Sequence, residues 1–376
     1  MADPGRVLFL NENLGGHASM HLWLEAVLPE VAPRLEAEFR DVPASGLLRR
    51  AFGTEVPGLG PLDLDLAPLR SQLAQSWVAR GILRRARPYD VLHVYTQNVA
   101  LCSADLLAAG PSVVSTDATT TQGAYHLPYR RPTRFTARML GAAQRFEQRV
   151  YDAATLVVAQ SEWAAASLRS VYGVESDRLS VVPFGLDPGP APERHDPPGL
   201  PEVTFVGTNL DRKGGTRLLR AFRTHLRGRC VLNLVTRDRV PPEPGVTVHA
   251  DFTPGDPRLP ALLARTAVFA FPSEMDNSPY SVLEAMRAAV PVVTTRVGAL
   301  PEMVTDGTTG ILVPHDDDAL ARAILTLLDD PTTQRRMGEA GRARLESVFD
   351  ARTTTAALIE VLSEARARHR RTVGPR

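Results

Sequence analysis

The sequence predicts an α/β chain built from two Rossmann-like domains, and three observations carry this expectation. Its 376 residues exceed what one hydrophobic core normally organises. Short apolar runs alternate with longer amphipathic ones, the pattern of βα units feeding a parallel sheet covered on both faces. The stretch Phe184–Pro201 is rich in Pro and Gly, has no periodicity, and reads as a linker. The expected division is therefore an N-terminal domain over 1–185, a second over 186–350, and a final helical segment over 351–376.

Taken in order, Val7–Leu10 reads as a buried strand, followed by Gly15-Gly16 and a helix marked by Leu22, Leu24, Val27 and Leu28. Val91–Tyr95 and Val113–Ser115 are the next strands. A helix with Phe146 and Val150 on one face leads to the strand Leu156–Ala159, and a helix over Trp163–Tyr172 ends at Gly173. Leu179–Val182 is a short strand before Pro183. After the linker come the strand Val203–Val206, a helix over Thr216–Arg227, and the strands Val231–Val235 and Val246–His249. A helix around Leu259–Arg265, the strand Val268–Phe271, a helix over Ser281–Ala289 and the strand Val290–Thr294 follow. Ile311–Val313 and amphipathic helices after Ala319 complete the series, with Arg370–Arg376 read as a frayed basic tail.

Composition narrows the function. A formal net charge of +1 gives no global field toward nucleic acid or an anionic membrane. Two arginine clusters, Arg84, Arg85 and Arg87, and Arg130, Arg131, Arg134 and Arg138, read as solvated helix faces; docking to anionic lipid or an acidic acceptor is the alternative. The two cysteines, Cys102 and Cys230, lie far apart in apolar stretches and read as buried free thiols without metal-ligand spacing. Neither a signal-peptide pattern nor a spanning apolar run occurs, so a cytoplasmic setting is expected, with peripheral contact at the inner membrane face as the alternative.

Three segments carry chemistry. In Pro272–Met286 a polar loop of Asp276, Asn277, Ser278 and Pro279 follows a buried strand and precedes a helix bearing Glu284. That is the crevice at the carboxyl end of a parallel strand, where open α/β sheets bind ligands. A helix start there offers free N–H groups to a diphosphate, and a carboxylate can accept from vicinal hydroxyls. The alternative is that Asp276 or Ser278 merely caps the helix. The second segment, Phe205–Gly215, places Arg212 and the chain's only lysine, Lys213, beside two glycines, without the spacing of an ATPase P-loop. The third, Asn11–His17, puts Gly15-Gly16 between the first strand and helix.

Together these segments resemble glycosyltransferase family 4, of GT-B fold. The resemblance rests on Gly15-Gly16, on Gly207 through Lys213-Gly214, on the Asp276 and Glu284 spacing, on Gly298-Ala-Leu-Pro-Glu302, and on Gly307-Thr-Thr-Gly310. The stretch Val181–Asp187 is similar to the family's hinge entry. It implies two Rossmann-like domains with an interdomain cleft, the acceptor on the first and a nucleotide-sugar donor on the second. By resemblance, Gly15 and Gly16 approach the donor, Lys213 holds its diphosphate with Arg212 as a substitute for the loop arginine, and Thr208 and Asn209 belong to the donor site. Glu284 binds the ribose. Asp276, with Asn277, Ser278 and Pro279, binds the sugar hydroxyls, and the base rests near His249–Thr253. His17 is assigned to the acceptor. Neither metal nor cofactor is implied, and the sugar is transferred with retention of configuration.

Three departures mark this chain. Asp276 replaces the family's first glutamate, Thr208 takes the place of its loop arginine, and Asp117 stands where a histidine is expected. Asp117 is therefore assigned to the site as a carboxylate near the anomeric carbon. Asp63 and Asp65 lack context for a metal, Asp316 through Asp318 read as a helix cap, and His21, His126 and His315 read as surface residues. A nucleotide-sugar 2-epimerase of the same fold, or a non-catalytic nucleotide-sugar-binding protein, are the competing functions.

Overall fold

The computed structural model describes residues 4–12, 18–43, 51–53, 66–86, 88–126, 136–190, 193–195, 198–253 and 255–373. They divide into two compact units: the described residues up to 125, with 136–185 and 351–373, form one, and those of 186–350, with 126, form the other.

The N-terminal unit holds a six-stranded parallel sheet in the order β2-β1-β3-β4-β5-β6. Its strands are β1 (Arg6–Asn11), β2 (Glu36–Asp41), β3 (Val91–Tyr95), β4 (Ser112–Thr116), β5 (Leu156–Ala159) and β6 (Leu179–Val181). All five residues of β3 and of β4 are buried, as the apolar runs require for strands covered on both faces. Fully burying a Leu- or Val-sized side chain stabilises by about 1.5–3 kcal/mol. The connecting helices are α1 (Ala18–Val31), α2 (Leu66–Arg85), α3 (Ala104–Ala108), α4 (Thr120–His126), α5 (Thr136–Ala153) and α6 (Glu162–Tyr172). Ser161 Oγ accepts from Ala164 N at the start of α6, and Gly173, at φ 61°, ends it.

Strand β2 and helices α2, α3 and α4 are absent from the sequence expectation. Strand β2 is a charged edge, in which Glu36 pairs with Arg6 at 2.8 Å and Phe39 stacks on Phe9 at 4.8 Å. Two further corrections concern single residues. His21 is buried, not at the surface: Asp41 Oδ1 lies 2.9 Å from its Nδ1 and Phe39 stands edge-on to its ring. Cys102 is only half-buried, while Cys230 is buried; both are free thiols.

The C-terminal unit holds a second six-stranded parallel sheet, ordered β12-β11-β10-β7-β8-β9. It comprises β7 (Glu202–Val206), β8 (Val231–Val235), β9 (Val246–His249), β10 (Thr266–Phe271), β11 (Val292–Thr295) and β12 (Gly310–Val313). Its helices are α7 (Gly215–Ala221), α8 (Arg258–Ala264), α9 (Tyr280–Arg287), α10 (Leu300–Met303), α11 (Asp317–Asp329) and α12 (Pro331–Val348). The helix expected to run to Arg227 changes at Phe222 into one wider turn, closed by Arg227 N donating to Phe222 O at 2.9 Å. The strand expected from Val290 begins at Val292, because Val290 N instead donates back to Ala285 O in closing α9. Asp316 Oδ1 accepts from Ala319 N at 2.6 Å and caps α11.

The last helix, α13 (Ala351–Val373), packs on α1, β3 and β4 of the N-terminal unit. Arg352 bonds Glu30 and Arg366 bonds Asp90, each at 2.8 Å. Helix continues through Arg370–Val373, where a frayed tail is expected from sequence. No described helix is long and apolar enough to cross a membrane.

Candidate functional site

In the C-terminal unit, β7 leads to β8 and β9 on one side, and the chain then crosses to β10, β11 and β12 on the other. The order reverses between β7 and β10. Ligands of open parallel sheets bind outside the carboxyl ends of the strands flanking such a reversal. The loops after β7 and β10 carry the two strongest sequence signals, and the structure brings them together there.

Lys213 Nζ lies 3.1 Å from Asp276 Oδ2, and Arg212 Nη1 lies 3.5 Å from the same oxygen. The lysine also rests over the Phe271 ring, 5.2 Å from its centroid, at the buried end of β10. Asn209 shapes the loop itself: its side-chain oxygen accepts from Arg212 N at 2.8 Å, and its carbonyl from Lys213 N at 3.0 Å. Thr208 and Asn209 are exposed at the mouth. The Arg212 carbonyl accepts from Glu274 N at 2.9 Å, and Arg212 Nη1 donates to Met275 O at 3.0 Å, locking one loop to the other.

Two glycines make this approach feasible. Gly214 sits at φ 80°, and a Cβ there would lie 1.9 Å from Pro272 O. Gly298, at φ 54°, would place a Cβ 1.9 Å from Asp276 O. Both positions combine a left-handed backbone with direct backbone contact, so a side chain meets strain and a clash at once. The Asp276 loop is held further by Thr294 and Thr295, whose hydroxyls donate to Phe271 O at 2.6 Å and Ser273 O at 2.5 Å. Ala299 N donates to Asn277 O at 2.9 Å.

Helix α9 opens from this loop. Its N-cap is Pro279, with no side-chain cap, so neither Asp276 nor Ser278 serves as one. Ser281, in the first turn, has a buried hydroxyl with no hydrogen-bond partner among the described residues. A polar atom left this way in a native fold calls for a water or ligand to complete it; sequence reasoning missed Ser281, since a serine at a helix start ordinarily reads as a cap. Glu284 is half-buried in the second turn. Burial raises its carboxyl to about 7, with Arg287 pulling it down.

At the neighbouring strand ends, His249 Nε2 lies 3.1 Å from Asn233 Oδ1, and its ring packs at 5.0 Å against Phe252. Arg258 lies over the Phe252 ring at 4.6 Å, so the segment expected to receive a base presents aromatic and guanidinium faces.

In the N-terminal unit, Asp117 is half-buried at the carboxyl end of β4. Gly15, Gly16 and His17 lie outside the described residues, as do Asp63, Asp65, Arg87, Arg130, Arg131 and Arg134. Arg84 and Arg85 are exposed on the last turn of α2.

Comparison with known proteins places this architecture. Residues 31–189 match the model of Glycosyltransferase Family 4, and residues 200–330 that of Glycosyl transferases group 1. The chain is 32% identical to the MMP alpha-(1->4)-mannosyltransferase of Mycolicibacterium hassiacum, over 55% of this chain and 54% of that one. It thus spans about half the length of that relative. It is 34% identical to a GDP-mannose-dependent phosphatidylinositol monomannoside mannosyltransferase of Mycolicibacterium smegmatis, over 61% of this chain and 67% of the relative. It is 30% identical to the alpha-maltose-1-phosphate synthase of Mycobacterium tuberculosis, over 78% of this chain and 82% of that one. Among solved structures, sucrose-phosphate synthase from Thermosynechococcus elongatus superposes with TM-score 0.72 at 18% identity, covering 97% of this chain and 99% of that one. Anabaena HepE in complex with UDP-glucose gives TM-score 0.69 at 20% identity, covering 96% and 99%. The sheets, the paired family models and a relative matched over most of its length agree: the chain belongs to glycosyltransferase family 4 and has the GT-B fold.

Proposed function

We propose that this protein transfers a hexose-type sugar from a nucleoside-diphosphate sugar to a hydroxyl acceptor, with retention of configuration and without a metal ion or other cofactor. The observation that carries the reading is the meeting of Lys213, Arg212 and Asp276 at the carboxyl ends of β7 and β10, beside the start of α9.

Lys213 and Arg212 both pair with Asp276. A bound diphosphate takes over Lys213 and Arg212, which frees the Asp276 carboxylate to accept hydrogen bonds from sugar hydroxyls. Glu284 receives the ribose hydroxyls. The backbone at Asn277, Ser278 and Pro279 joins Asp276 on the sugar hydroxyls, and N–H groups of the first turn of α9, with the Ser281 hydroxyl, complete the phosphate shell. As the bond from the anomeric carbon to the phosphate oxygen breaks, negative charge grows on the leaving diphosphate. Lys213 and Arg212 stabilise that charge where it develops. The acceptor oxygen forms its bond to the anomeric carbon on the same face, and its proton passes to the departing phosphate oxygen. Asp117, in the N-terminal unit, stabilises positive charge at the anomeric carbon, and that unit binds the acceptor.

The relatives' names point to GDP-mannose and UDP-glucose as the first donors to try. Thermal-shift screening against nucleotide sugars with EDTA present, followed by NMR of the product's anomeric configuration, tests the reading. Stabilisation by at least one donor and a product of unchanged anomeric configuration are expected. An inverted product, or no stabilisation by any nucleotide sugar, would overturn it.

A further inference from the structure

The acid best enclosed in the N-terminal unit is one that the site assignment leaves out. Glu147, on α5, is 1% exposed, and burial raises its carboxyl above the ordinary range. Its oxygens collect donors from three separate segments. Thr120 N donates to Oε1 at 2.9 Å and to Oε2 at 3.1 Å, and Thr120 Oγ1 donates to Oε1 at 2.9 Å. Gln97 Nε2 donates to Oε1 at 2.8 Å, and the Tyr172 hydroxyl donates to Oε2. None of these partners is a cation.

Gln97 extends the arrangement. The same amide nitrogen donates to Ala118 O at 2.9 Å, while its oxygen accepts from Thr116 Oγ1 at 2.5 Å. The turn after β4 is therefore held at Thr116, at Ala118 and at Thr120. Asp117 lies between the first two of these anchors. A carboxylate buried without a cation is costly, and packing alone would be served as well by an apolar side chain. What the carboxylate adds is geometry: it accepts from every donor at once, which a side chain carrying its own N–H groups cannot do.

We propose that Glu147 is a positioning residue, fixing the turn that presents Asp117 at the carboxyl edge of β4. This rests on the role assigned to Asp117 under the proposed function. Glu147 touches neither donor nor acceptor; it acts through Gln97 and Thr120. Glu147→Gln keeps the shape but turns an amide N–H₂ toward donors, so the turn loses at least one anchor.

The test combines two readouts. Amide exchange of a peptide spanning 116–121 should speed up about tenfold or more in Glu147→Gln. Release of nucleoside diphosphate from GDP-mannose or UDP-glucose should fall about 10- to 100-fold, with the nucleoside diphosphate Kd within about twofold of wild type. In Asp117→Ala/Glu147→Gln the loss should equal that of Asp117→Ala alone, because the two changes act on one element. Additive losses, or unchanged exchange in the turn, would overturn the proposal. If Asp117→Ala keeps the wild-type rate, the role of Asp117 fails and this inference falls with it. If Asp117→Ala is inactive and Glu147→Gln is not, only the inference fails. Should Glu147→Gln not fold, Thr120→Ala and Tyr172→Phe each remove one donor, and a smaller loss of about three- to tenfold with faster exchange is expected; wild-type rates in both would overturn it.

Discussion

Replacing Lys213 with alanine isolates the charge on which the proposed chemistry turns. The side chain is the chain's only lysine, and its nitrogen sits 3.1 Å from Asp276. The structural cost is small, because Arg212, 3.5 Å from the same carboxylate oxygen, stays in place. Losing one partner of a pair that keeps another costs about 1 kcal/mol, a Tm shift of about 2–4 °C for a unit of this size. The catalytic cost is larger. A charge-assisted hydrogen bond contributes about 1.5–3 kcal/mol, and two unit charges 4 Å apart at an effective dielectric of 20 attract by about 4 kcal/mol. A loss of about 2–4 kcal/mol in the transition state corresponds to a fall in kcat/KM of about 30- to 1000-fold. Release of nucleoside diphosphate, measured beside a thermal melt of the same sample, reads both quantities. Lys213→Arg, which keeps the charge but spreads it over a planar guanidinium, should recover part of the rate. A kcat/KM for Lys213→Ala within about threefold of wild type, at an unchanged Tm, would refute the phosphate role.

Other consequences follow from the same geometry. Gly298→Ala forces a Cβ toward Asp276 O at a left-handed backbone position; a loss of about 1–3 kcal/mol, read as a Tm lower by about 3–10 °C, should accompany weaker nucleotide binding. A melt identical to wild type would show that the loop tolerates displacement. Glu284, raised to about 7 by burial, is to bind ribose as a carboxylate. Nucleoside diphosphate affinity should therefore rise with pH below 7 and level off above it, and Glu284→Gln should lose that component; a common pH profile would contradict it. His21 and His93 are buried neutral imidazoles, depressed by burial to about 4 and about 3. The unfolded chain protonates near 6.5 and the folded chain does not, so stability is complete above 6.5 and drains as pH falls toward 4. The loss by pH 4 is on the order of a few kcal/mol. Denaturant melts from pH 7.5 to 4.5 should show it in wild type and less of it in His93→Gln; parallel curves would remove the imidazoles from the account.

Much of the fold was legible because its strands are covered on both faces. Val91–Tyr95 and Val113–Ser115 are apolar runs too short for helices, and the structure buries them completely. Glu36–Asp41 escaped notice because it is an edge strand. Four of its six residues are exposed and its pairing partner is β1 alone, so its charges conceal the alternation. That Lys213 and Asp276 lie in loops beyond strand ends, and Glu284 on the helix that follows, was legible from the alternation of apolar runs and polar loops. Glu147 was not. Its helix reads from sequence as a face carrying Phe146 and Val150, and an acid between them looks solvated. Only the tertiary fold brings Gln97, Thr120 and Tyr172, 25 to 50 positions away, around one carboxylate. His21 was misplaced for the same reason: Asp41 and Phe39, which enclose it, lie on the strand that the sequence concealed.

On the proposed function, the crevice between the β7 and β10 loops binds a nucleoside diphosphate through Lys213 and Glu284. Calorimetric titration of UDP and of GDP, in EDTA, into wild type and into Lys213→Ala/Glu284→Gln tests it most directly. One site for at least one of the two nucleotides in wild type, weakened about tenfold or more in the double variant, is the predicted result. Equal affinity in both proteins, or binding of neither nucleotide to wild type, would contradict it.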